Sequence, residues 1–394
     1  MKTQTTLQAA SAIDAKFDLI CFSHLRWDFV YQRPQHLFSR FASHLRTFFI
    51  EEPLFGEGNP SLNVKFAPEG IYIITPQLPH GLNEEQVNSS LRTLLDNLLL
   101  EKEVDDYVLW YYTPMALQFS DHLTPTMTVY DCMDELSAFK FAPAALKELE
   151  KDLLNRADLV FTGGVSLYEF KKQQHHNIYP FPSSIDYNHF HQARNAGSEE
   201  PEDQRSIPHP RIGFYGVVDE RFDIELLDKV SEQRPDWQFV ILGPVVKIDP
   251  AVLPRRSNVH YLGGKSYKEL PAYLSGWDIA MIPFARNEST RFISPTKTPE
   301  YLAAGKPVIS TSIKDVVDPY GKNKLVSIAD TADEFIAAAE RILQDRDNQT
   351  WLQEVDAFLA NNSWDNTWAA MMQLMNMTIK DKSTNTKKTK EAYV

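Results

Sequence analysis

The sequence predicts an α/β protein built of two doubly wound, Rossmann-like halves, each around a parallel sheet. Three observations carry that expectation. Short apolar runs alternate with segments of helical periodicity along most of the chain, the pattern of repeated strand–helix–strand units. A polar stretch without apolar periodicity, 191–210, divides the alternation into two series. The 394 residues also exceed what one core ordinarily holds.

In the first half, 1–190, an apolar strand at 17–22 runs into a polar loop from Ser23 to Arg33. Leu37, Phe38, Phe41 and Leu45 then repeat at helical spacing and a strand follows at 47–50. Further strands are expected at 107–111, 127–130 and 159–162, each separated by room for a helix. The linker spans 191–210. The second half, 211–363, opens with a strand at 212–215 and a helix at 224–233. It continues with strands at 238–242 and 259–262, a helix at 268–275 and a strand at 279–282. Beyond it Trp364, Trp368 and Met372 line one face of a helix over 364–380, expected to pack back on the first half. The remainder, 381–394, is polar and expected to be a disordered tail.

Composition removes several classes of function. A net charge of −13 provides no basic footprint for nucleic acid. Residues 1–190 hold 15 Lys and Arg against 24 Asp and Glu, so that half has no electrostatic attraction to anionic lipid. The two cysteines, Cys21 and Cys132, lie in apolar stretches and suggest buried thiols in a reducing compartment. No apolar run reaches membrane-spanning length and the start lacks the pattern of a secretory signal. A cytoplasmic protein is expected, with any membrane contact peripheral, at the inner face of the cytoplasmic membrane.

In open parallel sheets, ligands sit beyond the carboxyl ends of strands, so the polar residues following each strand are the candidates. The richest stretch is 294–311, read as a loop, a short helix and a buried strand. Pro295 and Pro299 suit a first helical turn, Gly305 closes the helix and Pro307 forbids its continuation. Lys297 and Glu300 share one helix face. With Ser294, Thr296 and free backbone N–H groups they suit a sugar nucleotide: Lys297 for phosphate, Glu300 for the ribose hydroxyls. The bland alternative is a surface ion pair. Gly216 follows the strand at 212–215 and allows close approach of a phosphate, and Arg221 supplies a second cation. Arg221 could instead pair on the surface with Asp223 or Glu225. After the first strand, His24, Arg26, Trp27 and Arg33 form a candidate acceptor-side loop, unless Trp27 and Tyr31 merely cap the sheet edge. After the strand at 127–130, Asp131 is either a cleft carboxylate or, like Asp134, an N-cap of the following helix. No His lies near these acids to complete a metal site.

Together these segments resemble glycosyltransferases of the GT-B fold, similar to family 4 (group 1), in its K-x-x-E variant subgroup. The resemblance rests on Gly216, on the strands within 236–243, 258–263 and 277–283, and on an E-x-x-x-x-G-x-P-V pattern at Glu300, Gly305, Pro307 and Val308. Ser183 to Asp186 fall on the family's hinge pattern. The family's first donor-site glutamate would fall at Phe292, and its usual R-x-x-x-x-K pair is reduced to Arg221. The resemblance implies two halves facing each other across a cleft, and transfer of a sugar from a UDP- or GDP-sugar to a glycan or lipid-linked acceptor. It implies a role in polysaccharide and cell-envelope biosynthesis, with retention of configuration, no metal and no resident cofactor. Arg221 and Lys297 would stabilise the leaving diphosphate, and Asp131 would be the base if the reaction inverts. A nucleotide-sugar 2-epimerase or a non-catalytic binding scaffold of the same fold are the alternatives.

Overall fold

The computed structural model describes residues 17–195, 199–345 and 348–392. The first sheet contains nine strands: β1 (Asp18–Ser23), β2 (Thr47–Glu51), β3 (Leu54–Gly56), β4 (Ser61–Phe66), β5 (Ile71–Pro79), β6 (Tyr107–Tyr111), β7 (Met127–Cys132), β8 (Leu159–Thr162) and β9 (Ile178–Pro180). Their order is β3-β5-β2-β1-β6-β7-β8-β9, with β4 paired antiparallel to β5. The second sheet holds β10 (Arg211–Tyr215), β11 (Gln238–Leu242), β12 (Val259–Gly263), β13 (Ile279–Ile282), β14 (Val308–Ser310) and β15 (Val326–Ile328). Its order is β12-β11-β10-β13-β14-β15, parallel throughout. These are the two doubly wound parallel sheets that the alternation predicts.

The central strands are buried from end to end; β2, β6, β7 and β10 expose no residue. Helices cover both faces of such a sheet, so its strands read as unbroken apolar runs. The strands β3 to β5 escape that signature. β4 is almost wholly exposed and β3 partly so, and an antiparallel edge strand carries no continuous apolar run. The segment 191–210 is also more ordered than a linker. Gln204 is fully buried, donating to the Tyr273 carbonyl at 3.0 Å and accepting from Trp277 Nε1 at 2.9 Å. Residues 196–198, within that linker, lie outside the described residues.

After the second half the chain crosses back. The helix Trp364–Ala392 buries Trp364, Met371, Met372 and Met375 in the core of the first half, and Lys382 pairs with Asp158 at 2.7 Å. This helix continues through 381–392, where a disordered tail is expected from composition; residues 393 and 394 lie outside the described residues. The sequence after Trp364 contains no Gly or Pro and so nothing that stops the helix.

Trp364 is fully buried and stacks on His36 with ring centroids 4.7 Å apart. Trp364→Ala should therefore cost about 3–5 kcal/mol in denaturant unfolding. Met377→Ala on the same helix, at a side chain 52% exposed, should change stability by less than about 0.5 kcal/mol.

Candidate active site between the two halves

The carboxyl ends of both sheets face a cleft of about 920 Å³. On the second half, β10 ends in Gly216 and β11 in Gly243, with φ of +136° and +133°. Neither has room for a methyl group. A Cβ on Gly216 would lie 2.4 Å from Lys297 Cε, and one on Gly243 would lie 1.9 Å from the Gly216 carbonyl oxygen. The two turns and the helix Lys297–Ala303 therefore close onto one another, and Lys297 lies across the Gly216 backbone.

Lys297 sits between Phe214 and Phe284, with Nζ 5.6 and 5.7 Å from the ring centroids. No described carboxylate lies within ion-pair distance. Burial pushes its ammonium to a pKa well below that of an ordinary lysine, to about 8; Glu300 opposes that shift and Arg221 adds to it. The Glu300 carboxylate accepts a hydrogen bond from the Tyr215 hydroxyl. Burial raises its pKa to about 7, against the pull of Tyr215 and Lys297. Tyr301, fully buried, accepts from the Tyr215 backbone N–H at 3.0 Å and pins this helix to the end of β10. Lys297 and Glu300 are thus not an exposed ion pair. They form a desolvated pair of titratable groups at the foot of the cleft. Ser294 and Thr296 line the same wall.

Arg221 also faces the cleft. Its Nε and Nη2 donate to Asp219, at 2.9 Å to Oδ1 and 2.6 Å to Oδ2, rather than to Asp223 or Glu225. Nη1 is left without a partner among the described residues. The Phe139 ring of the first half lies 5.5 Å from the guanidinium carbon.

The first half corrects several expectations. Asp131 is fully buried, and both its oxygens accept from Arg33, at 3.0 and 2.8 Å. It does not line the cleft, and its bidentate pairing with buried Arg33 gives it a structural role in place of the expected base or acceptor ligand. Arg33 is committed too: its Nη1 donates to the Phe181 carbonyl at 2.7 Å. Arg26 pairs with Glu51 at 2.9 Å and donates to the Glu52 carbonyl at 2.6 Å. Glu51 also accepts from the Trp27 N–H and the Thr75 hydroxyl, and so anchors the loop. Trp27 touches the cleft but is buried, edge-on to Phe49 at 5.1 Å. His24 does not line the cleft; burial pushes its pKa down to about 4 and keeps it neutral. These side chains hold the loop in place and leave few groups free for an acceptor. Neither Asp131 nor Asp134 caps a helix by its side chain; the short turn after β7 starts at Glu135.

Phe292 stacks on Phe170 of the first half, with centroids 4.6 Å apart. Ser183 donates to the Ser294 carbonyl at 2.8 Å, and the Ser166 N–H donates to Asp315 at 3.0 Å. The loop before Lys297 is therefore docked across the cleft. Residues that sequence reasoning missed include Tyr215, Tyr267 and Asp134, all of which line the cleft.

Residues 209–345 match the family model of glycosyl transferases group 1. The second half thus matches the group 1 glycosyl transferases, and the two halves have the GT-B fold. The chain is similar to TuaH of Bacillus subtilis (strain 168), a glycosyltransferase named for teichuronic acid biosynthesis: 25% identity over 288 residues, 67% of this chain and 70% of that one. Among solved structures, the glycosyltransferase resembles sucrose-phosphate synthase from Thermosynechococcus elongatus, with a TM-score of 0.66, 15% identity and coverage of 93% and 100% of the two chains. It also resembles the starch synthase IV catalytic domain of Arabidopsis thaliana bound to ADP and acarbose, with a TM-score of 0.64, 10% identity and coverage of 93% and 100%. At these identities the structures establish the fold.

The buried Arg33–Asp131 pair separates a structural from a chemical role. Asp131→Asn leaves the Arg33 charge uncompensated and should destabilise the glycosyltransferase by about 3–5 kcal/mol in denaturant unfolding. A general base would instead leave stability unchanged and remove only turnover.

Proposed function

We propose that this glycosyltransferase moves a sugar from a UDP- or GDP-sugar to a glycan or lipid-linked acceptor in cell-envelope polysaccharide biosynthesis, with retention and without a metal. The observation that carries the proposal is Lys297: a desolvated ammonium without a carboxylate partner, beside Glu300 and facing the cleft. A buried cation of this kind favours an anionic ligand, because desolvation strengthens their attraction. The nucleoside diphosphate supplies that anion, its phosphates on Lys297 and Arg221 Nη1 and its ribose hydroxyls on Glu300.

As the anomeric bond breaks, negative charge gathers on the leaving diphosphate, and the two cations stabilise it more in the transition state than in the ground state. In a retaining reaction the leaving phosphate takes the acceptor proton, which agrees with Asp131 being closed off as a base. The similarity to TuaH supports a cell-envelope polysaccharide as the product class. Phe29, 54% exposed at the cleft, supports an acceptor with an apolar part, at the inner face of the cytoplasmic membrane.

A thermal-shift screen against UDP, GDP and their sugars tests the donor assignment. One nucleotide series should raise the melting temperature by mass action, and Glu300→Ala and Lys297→Ala should each abolish the response while remaining folded. The pH dependence has a definite sign. Below about pH 8 Lys297 is charged in the free enzyme. Above it, binding must take up a proton, so affinity for the diphosphate should fall as pH rises through 8, by up to about tenfold per unit. Calorimetry in buffers of different ionisation enthalpy should detect that uptake. Unchanged affinity from pH 7 to 9 would count against Lys297 as the phosphate ligand.

A further inference from the structure

We infer that Asp134 binds a hydroxyl group of the transferred sugar, a specificity-determining contact that rests on the donor assignment above. Among the described residues that line the cleft, the carboxylates are Asp28, Glu69, Asp134 and Glu300. Asp28 and Glu69 are exposed, and Asp28 pairs with Lys65 at 2.6 Å. Glu300 is held by the Tyr215 hydroxyl. Asp134 alone of the four is half-buried with no described N–H or O–H donating to its carboxylate.

Its position is fixed from below. The Met133 backbone presses on Gly163 at the end of β8, where a Cβ would lie 2.2 Å from the Met133 carbonyl oxygen. The Met133 N–H in turn donates to the Asp131 carbonyl at 3.0 Å. Asp134 is therefore carried into the cleft by a tight turn off β7 and is no part of a mobile side-chain surface. Burial holds its carboxyl above the ordinary range, at about 6; Arg221 and Arg33 pull it down, while Asp219 and Asp131 push it up.

A half-buried carboxylate without a protein donor loses its water when a ligand fills the cleft, which is costly unless a donor replaces it, and a ligand hydroxyl supplies that donor. The direction of approach follows from Arg221. That cation belongs to the second half and is assigned to the diphosphate, whereas Asp134 faces it from the first half. With the diphosphate assigned to the cations, the sugar attached beyond it is the part of the donor left to meet Asp134. A site built to hydrogen-bond a hydroxyl discriminates against ligands that lack one, because the buried acceptor is then left unpaired.

Titration calorimetry on the full chain, Asp134→Ala and Asp134→Asn tests this with UDP, UDP-glucose, UDP-galactose, UDP-N-acetylglucosamine, UDP-glucuronate, GDP and GDP-mannose. At least one sugar nucleotide should bind wild type about tenfold or more tighter than its bare diphosphate. Asp134→Ala should lose that increment and keep its affinity for the bare diphosphate within about twofold. Asp134→Asn, which keeps an acceptor oxygen and the side-chain volume, should retain part of it. The inference is overturned if the alanine variant keeps the whole increment, if bare-diphosphate affinity falls equally, or if wild type shows no increment. Lys297→Ala should weaken bare and sugar-bearing nucleotides alike. If neither UDP nor GDP binds wild type, the donor assignment falls and this inference with it.

Discussion

The close approach of the two turns at Gly216 and Gly243, with the Lys297 side chain laid on the first of them, is the constraint on which the rest of the site depends. Both glycines have positive φ and neither has space for a Cβ. Without them β10 and β11 could not turn tightly enough to let the helix Lys297–Ala303 close on the sheet. With them, Lys297 is laid over bare backbone between two aromatic rings and loses part of its hydration. Its perturbed charge is thus a consequence of packing, and the same packing brings Glu300 to the Tyr215 hydroxyl. Glycine at these positions acts through what it leaves vacant.

The first half shows the opposite use of polar residues. Its loop from Ser23 to Arg33 holds the charges and aromatics that suggest a binding surface, yet most are consumed internally. Arg26 is spent on Glu51 and two backbone carbonyls, Arg33 on Asp131 and Phe181, and Gln35 on the Trp27 carbonyl. A long connection at the end of a parallel sheet has backbone groups to satisfy and no ladder to satisfy them. Charged side chains that anchor such a loop look, in sequence, like side chains that bind a substrate. Partnership distinguishes them, and it becomes visible only in three dimensions.

That difference explains how much was legible. The central strands read plainly because burial on both faces leaves an unbroken apolar run, and β6, β8 and β11 stand where the sequence predicts them. The strands β3 and β4 are largely exposed, so their signal dissolves into ordinary polar sequence; β5 is interior and largely buried, and its apolar start at 71–74 falls outside the expected series. The helix Trp364–Ala392 was legible through its Trp and Met stripe, but its length was not, since polar helix and polar coil share a composition. In the site, Lys297 and Glu300 were legible because i,i+3 spacing fixes a shared helix face. Asp131 and Asp134 were not separable, because their roles depend on the turn that follows β7. That turn is set by Gly163, about thirty residues further along the chain, and no local pattern reports it.

The distribution of charge between the halves has a consequence for the order of events. The cations proposed to meet the diphosphate, Lys297 and Arg221, and Glu300 beside them all belong to the second half. The half-buried carboxylate opposite, Asp134, belongs to the first. Contacts between the halves include Ser183 on Ser294, Ser166 on Asp315, Phe170 on Phe292 and the stack of Tyr31 on Tyr267. The nucleotide can therefore be held by one half alone, whereas contact with whatever is attached to it needs both halves in register. Phe292 and Ser294 belong to the loop that leads into Lys297, so some of the contacts between the halves are covalently continuous with the proposed phosphate site. On that assignment, seating the diphosphate and docking the halves bias one another, since both order the same loop.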